Sequence, residues 1–116
     1  MPRETVPAFP LLKGTLDVLV LTALASGAAH GFALTRWLAE RSASELDLDE
    51  AAVYQALYRL EARGLVKAAW RQSDKGRRAR FYTLTARGRA ELAREVAAWR
   101  RYAAVVGGIL DTSGTG

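Results

Sequence analysis

A mainly α-helical fold with one small β-hairpin, closed by a long C-terminal helix, is what this 116-residue sequence predicts. Three observations point there. Apolar residues recur at helical spacing in four separate stretches. Between the third and fourth, the pattern changes to short apolar and aromatic runs around a polar turn. The last stretch then keeps alternating spacings of four and three over almost three heptads, the mark of a coiled-coil seam.

Met1 to Pro10 carries prolines at Pro2, Pro7 and Pro10 and reads as a flexible arm. From Thr15 a helix begins, with Leu16, Leu19, Val20, Ala23 and Leu24 on one buried stripe and Gly27 as its expected stop. Lys13 and Thr15 stand at its entry, where a cation and backbone N–H groups can hold a phosphate; Thr15 can equally serve as a plain N-cap. A turn, Ala28 to Gly31, leads to a second helix whose Leu34, Trp37 and Leu38 should pack on the first. His30 is the only histidine, placed at a helix entry where capping or packing is its ordinary use. The polar segment Ser42 to Asp47 connects to the third helix.

The third helix organises the chain. Asp49 can cap it, Glu50 suits its first turn, and Gly64 stops it. Val53, Ala56, Leu57 and Leu60 form its buried stripe; Ala52, Gln55, Arg59 and Ala62 lie opposite, with Tyr58 at the margin. Small residues, an adenine-compatible Gln and a guanine- or phosphate-compatible Arg suit a major groove, although solvent would suit the same face. Leu65 to Arg71 and Phe81 to Leu84 read as strands around the turn Ser73, Asp74, Lys75 and Gly76. Lys75, Arg77, Arg78 and Arg80 crowd the tip and return strand, and Asp74 is the only acid between Arg71 and Arg89. A helix presenting a polar face, followed at once by a cationic hairpin, outlines a winged helix-turn-helix that puts the helix in a groove and the wing on phosphates.

After Thr85, a plausible N-cap, the last helix carries Leu92, Val96, Trp99, Ala103, Val106 and Leu110 on its seam. One helix cannot bury both this seam and the back of its own domain, so the spacing predicts a twofold homodimer, with packing back onto the chain's own domain as the alternative. Gly107 and Gly108 should loosen its end. The expected organisation is a flexible arm over 1–10, a winged helix-turn-helix DNA-binding domain over 11–85, a C-terminal dimerisation helix over 86–110 and a flexible tail over 111–116.

Bulk numbers agree with this outline and exclude others. Lys and Arg number 17 against 12 Asp and Glu, a net charge of +5 that favours an anionic partner. The charge is also uneven, since Glu40, Glu45, Asp47, Asp49 and Glu50 cluster before the third helix while the bases follow it. Without cysteine, and with a single His, neither a disulfide framework nor a zinc centre is possible, so no metal and no cofactor is expected. No nucleophile–base pair or Gly-rich phosphate loop is present, which argues against an enzyme. The longest apolar run, Val18 to Ala25, is far too short to span a bilayer, and no signal-peptide pattern opens the chain, so a cytoplasmic protein without membrane contact is expected.

The linked segments LLKGTLDVLVLTALASGAAHGFAL, AVYQALYRLEARGLVKAAW and KGRRARFYTLTARGR, followed by the final helix, resemble the PadR-like transcriptional regulators from about Leu11 to about Val106. The resemblance implies a dimeric repressor that reads double-stranded operator DNA with its third helix and touches the adjacent backbone with its wing. Tyr54 and Gln55 match the recognition-helix segment, which implies a phosphate contact for Tyr54; Lys75, Arg77 and Arg78 match the wing, and Lys13 and Thr15 match the first helix entry. In small members of this kind, a Trp at the place of Trp99 stacks on flat aromatic ligands between the subunits, which implies a small aromatic or hydrophobic effector. Phe32 stands where members often have Tyr, Gln55 where many have Pro and Tyr58 where many have His, so the resemblance implies no particular operator. The expected DNA contacts are thus Lys13, Thr15, Tyr54, Gln55, Tyr58, Arg59, Lys75, Arg77 and Arg78, and the expected dimer contacts Leu92, Val96, Trp99, Ala103 and Val106. A different class of function uses the same surfaces, namely a winged-helix module that binds an acidic protein without specific DNA binding.

Overall fold

In the computed structural model, residues 14–72 and 75–114 are described, the last two by backbone alone. The expected arm over 1–10, Lys13, Ser73 and Asp74 of the turn, and residues 115–116 lie outside them. The elements run α1 (Thr15–Leu24), β1 (Ala29–His30), α2 (Gly31–Arg41), α3 (Glu50–Ala62), β2 (Val66–Gln72), β3 (Arg78–Leu84) and α4 (Ala86–Gly114). The fold is therefore mainly α with a small sheet and a long C-terminal helix, as the periodicities predict.

One core holds these elements together. Val20, Leu21, Ala23 and Leu24 of α1, Leu34 and Leu38 of α2, and Val53, Ala56, Leu57 and Leu60 of α3 are buried with Leu65, Val66, Tyr82 and Leu84. Trp37 and Leu92 pack partly buried against this cluster. Among the described residues no polar or charged side chain is buried, so the core makes no unpaired-group penalty of its own.

Local signals set most boundaries. His30 caps α2, its Nδ1 accepting from the Ala33 N–H at 3.1 Å. Asp49 caps α3, its carboxylate accepting from the Ala51 N–H at 3.1 Å. α3 ends on Gly64 at φ 76, where a left-handed residue is needed: the Leu65 N–H donates to the Leu60 carbonyl and the Gly64 N–H to the Glu61 carbonyl, both at 2.9 Å. Thr85 then binds three segments together. Its hydroxyl donates to the Gly64 carbonyl at 2.7 Å and accepts from the Gly88 N–H at 3.0 Å, while its own N–H donates to the Leu65 carbonyl. It caps α4, as expected, and fixes the direction of that helix relative to α3.

Four expectations need correction. The stretch Ala28 to Gly31 is more than a turn, because Ala29 and His30 form β1, pairing antiparallel with Tyr82 and Phe81 to make a sheet of order β1-β3-β2. Thr15 does not cap α1; Gly14 holds that position at φ 87 without a side-chain bond. The helix α1 stops at Leu24, before Gly27. Gly107 and Gly108 do not end α4, which continues past Leu110 to Gly114 and takes in most of the expected tail; glycine lowers helix propensity without forbidding the conformation.

The sheet places the wing. β2 and β3 pair in register from Val66 with Leu84 to Gln72 with Arg78, so the hairpin extends beyond the core. α4, roughly 43 Å long at 1.5 Å per residue, packs on α1 and β3. The result is elongated, 58 × 38 × 20 Å.

Candidate nucleic-acid interface

With Val53, Ala56, Leu57 and Leu60 turned into the core, the face of α3 directly opposite consists of Ala51, Gln55, Tyr58 and Ala62, all exposed. The expected face is therefore slightly rotated: Ala52 is half-buried, and Arg59 lies on the α1 flank, where its guanidinium donates to Asp17 at 2.7 Å. Tyr58 is 74 % exposed and Tyr54 is 41 % exposed. Tyr54 lies against Gly31, the first residue of α2, so closely that a Cβ there would overlap its ring.

Beside this helix stands the hairpin. Lys75, Arg77 and Arg78 are exposed on it, and Gly76, at φ 79, closes the turn with its carbonyl accepting from Gln72 Nε2 at 3.0 Å. Three guanidiniums lie over rings: Arg71 over Phe81 at 4.6 Å, Arg78 over Trp70 at 5.5 Å and Arg80 over Tyr82 at 5.9 Å. Such stacking steadies a guanidinium while leaving its N–H edge free for phosphate oxygens. Arg80 differs, because it also donates to Glu61 of α3 at 2.9 Å and ties the hairpin to that helix. Burial pushes the Tyr82 phenol above its ordinary pKa, against the opposing charge of Arg80.

The sequence-predicted residues thus fall into two places. Tyr54 and Tyr58 line a cleft against the hairpin residues Trp70 and Arg80, with Gln55 exposed on the same helix and Lys75, Arg77 and Arg78 exposed on the hairpin. Thr15 is half-buried on the other side of α1, lining a hollow of about 350 Å³ with Val18, Glu95, Trp99 and Tyr102. Reasoning from sequence missed Trp70 as a neighbour of α3 and missed the pairing of Arg80 with Glu61 of that helix. The alternation Val66, Ala68, Trp70 on one strand face was the available signal.

The root of α4 carries a charged cluster. Glu91 receives Arg94 and, at 3.5 Å, Arg63. Its carboxyl is held below the ordinary glutamate range by a hydrogen bond from Glu95 and by Arg94, while that same bond, with burial, raises Glu95. Further along, Leu92 packs on its own domain, Val96 and Val106 are half-buried, Trp99 is 44 % exposed and Ala103 is exposed. Tyr102, Val105, Ile109 and Leu110 extend the exposed apolar surface along the same helix.

Among the described residues, no cluster of His, Asp and Glu could hold a metal ion, and no helix is long and apolar enough to cross a membrane. Comparison with known proteins agrees with the geometry. A PadR family transcriptional regulator from Eggerthella lenta DSM 2243 is 30% identical, superposes with a TM-score of 0.74, and is matched over 86% of this chain and 85% of its own. A PadR family transcription regulator from Clostridium difficile R20291 is also 30% identical, with a TM-score of 0.72 and coverage of 84% and 99%. A protein from Streptococcus mutans UA159, 21% identical, shares the fold with a TM-score of 0.78 over 89% of this chain and 92% of its own. Residues 20–94 match the Transcriptional regulator PadR-like family, and the chain belongs to that family.

Proposed function

We propose that this regulator works as a homodimeric, sequence-specific repressor in which Gln55 and Tyr58 meet base edges, and Tyr54 and the wing cations hold the flanking phosphates. The observation that carries this reading is the bare face of α3 standing beside a hairpin whose Lys75, Arg77 and Arg78 are all exposed. Arg59 serves as a phosphate contact only after leaving Asp17, so its share in affinity is smaller than its position on α3 suggests. Two recognition helices related by a twofold axis would meet half-sites about one turn, roughly 34 Å, apart. Dimerisation uses α4 from Val96 to Val106 and onward through Ile109, rather than Leu92, which its own core occupies. A small aromatic or hydrophobic effector at the Trp99 hollow would favour a helix spacing that no longer matches the half-sites.

The test is the salt dependence of duplex binding in an Arg77→Ala/Arg78→Ala variant. Affinity should fall, and the slope of log K against log salt should become shallower by about 0.9 for each phosphate that the wing no longer neutralises. An unchanged slope would remove the wing from the interface.

A further inference from the structure

The cleft between α3 and the hairpin has walls that phosphate binding does not call for. It encloses about 460 Å³, within the roughly 300–1,000 Å³ usual for small-molecule sites. Tyr54 and Tyr58 line it from α3, Trp70 and Tyr82 from the sheet, and His30 from the edge of β1. Across it runs the Arg80–Glu61 pair at 2.9 Å. Trp70 is 60 % exposed at its mouth, a large apolar surface left in water beside the still more exposed Tyr58. A DNA strand lying here would bring its phosphates toward the Glu61 carboxylate, to which Arg80 is already committed, while Arg78, over the Trp70 ring at 5.5 Å, stands at the rim. The Arg80–Glu61 pair is neutral as a unit. It still offers an unused acceptor on Glu61 and unused N–H donors on Arg80, side by side. Rings on several sides with a paired donor and acceptor between them describe a slot for a flat, uncharged molecule with one polar edge.

We propose that this cleft binds an uncharged planar aromatic small molecule, its ring against Trp70 and Tyr58 and its hydrogen-bonding edge on Arg80 and Glu61, and that this molecule and DNA exclude one another. The site is separate from the hollow beside Trp99. The exclusion rests on the reading of α3 and the wing as the DNA face, whereas the binding itself does not.

Naphthalene-2-carboxamide carries the stated chemistry and serves as the probe, titrated into the full chain by calorimetry. The Trp99→Ala background disables the hollow of the proposed effector, so that the probe reports the cleft; there binding should weaken by roughly tenfold or more on adding Trp70→Ala, as one stacking wall is removed, and stay within about threefold on adding Trp70→Phe, which keeps a ring. In a parallel titration the probe should release labelled duplex from Trp99→Ala but not from Trp99→Ala/Trp70→Ala. No binding to the wild type at about 1 mM probe, or a loss that follows Trp99→Ala instead, would overturn the site. A Trp70→Ala variant that binds duplex less well yet binds the probe normally would overturn it in favour of a nucleotide contact. If duplex fails to bind at all while probe binding still depends on Trp70, the site stands and the DNA reading of this face fails.

Discussion

Gly31 shows how a single missing side chain sets the position of Tyr54 on the proposed DNA face. Tyr54 occupies the space its Cβ would need, at the junction of α2 and α3. Gly31→Ala should therefore push the Tyr54 ring outward, cost about 1–3 kcal/mol of stability, and weaken duplex binding. Denaturant unfolding of Gly31→Ala alone and with Tyr54→Ala checks the cause, since removing the ring should recover most of the stability loss. Glu95 gives a second residue-scale prediction. Its raised pKa comes from the hydrogen bond to Glu91, then burial, then the Glu91 charge, with Arg63 opposing and Asp17 adding. A raised folded pKa contributes stability that is complete below the ordinary glutamate value and is lost as pH rises through the folded value. Glu91, shifted the other way, loses its contribution only as pH falls through its depressed value. Glu95→Gln keeps a donor to Glu91 at every pH. The variant's urea midpoint should match wild type near pH 4, at about the ordinary glutamate pKa, and exceed it increasingly toward neutrality; parallel curves would contradict the shared proton.

At the scale of elements, the two ends of α4 respond oppositely to the same substitution. A Cβ at Gly88 would overlap the Leu65 carbonyl, a backbone atom that cannot swing away. Gly88→Ala should cost about 3 kcal/mol or more and loosen the joint where Thr85 ties α3 to α4. Gly108 has nothing within 4 Å of such a Cβ, so Gly108→Ala should stabilise the helix by about 0.5–1 kcal/mol; thermal melts of both variants measure the contrast. The elements also show what a sequence can reveal of this fold. Asp49, Gly64 and Thr85 are legible as boundaries because capping joins near neighbours in the chain. Two residues carry no periodicity, so β1 emerges only once β3 is there to pair with it. Arg59 reads as available on α3 because its partner, Asp17, is distant in sequence and near only in the fold. Trp70 reads as an ordinary strand residue, since alternation tells which residues share a face but not what that face meets.

For the whole molecule, elongation is the informative feature. The radius of gyration is 16.5 Å, whereas a compact chain of this length would have about 13 Å. Along the 29-residue helix α4, Trp99, Tyr102, Val105, Ile109 and Leu110 are exposed. That surface is what the proposed dimer would cover. A charge placed on it, Val106→Glu, should turn the dimer into a monomer by light scattering while leaving the winged domain folded, and operator affinity should drop because one half-site then binds alone. A variant that remains dimeric would move the interface elsewhere.

The most direct measurement is fluorescence anisotropy of labelled DNA from upstream of the chain's own gene, titrated with protein at several salt concentrations against unlabelled random duplex. A sequence-specific dimer should bind tightly, with affinity that weakens steeply with salt and survives the competitor. Weak binding that random duplex abolishes, or binding indifferent to salt, would contradict the proposed function.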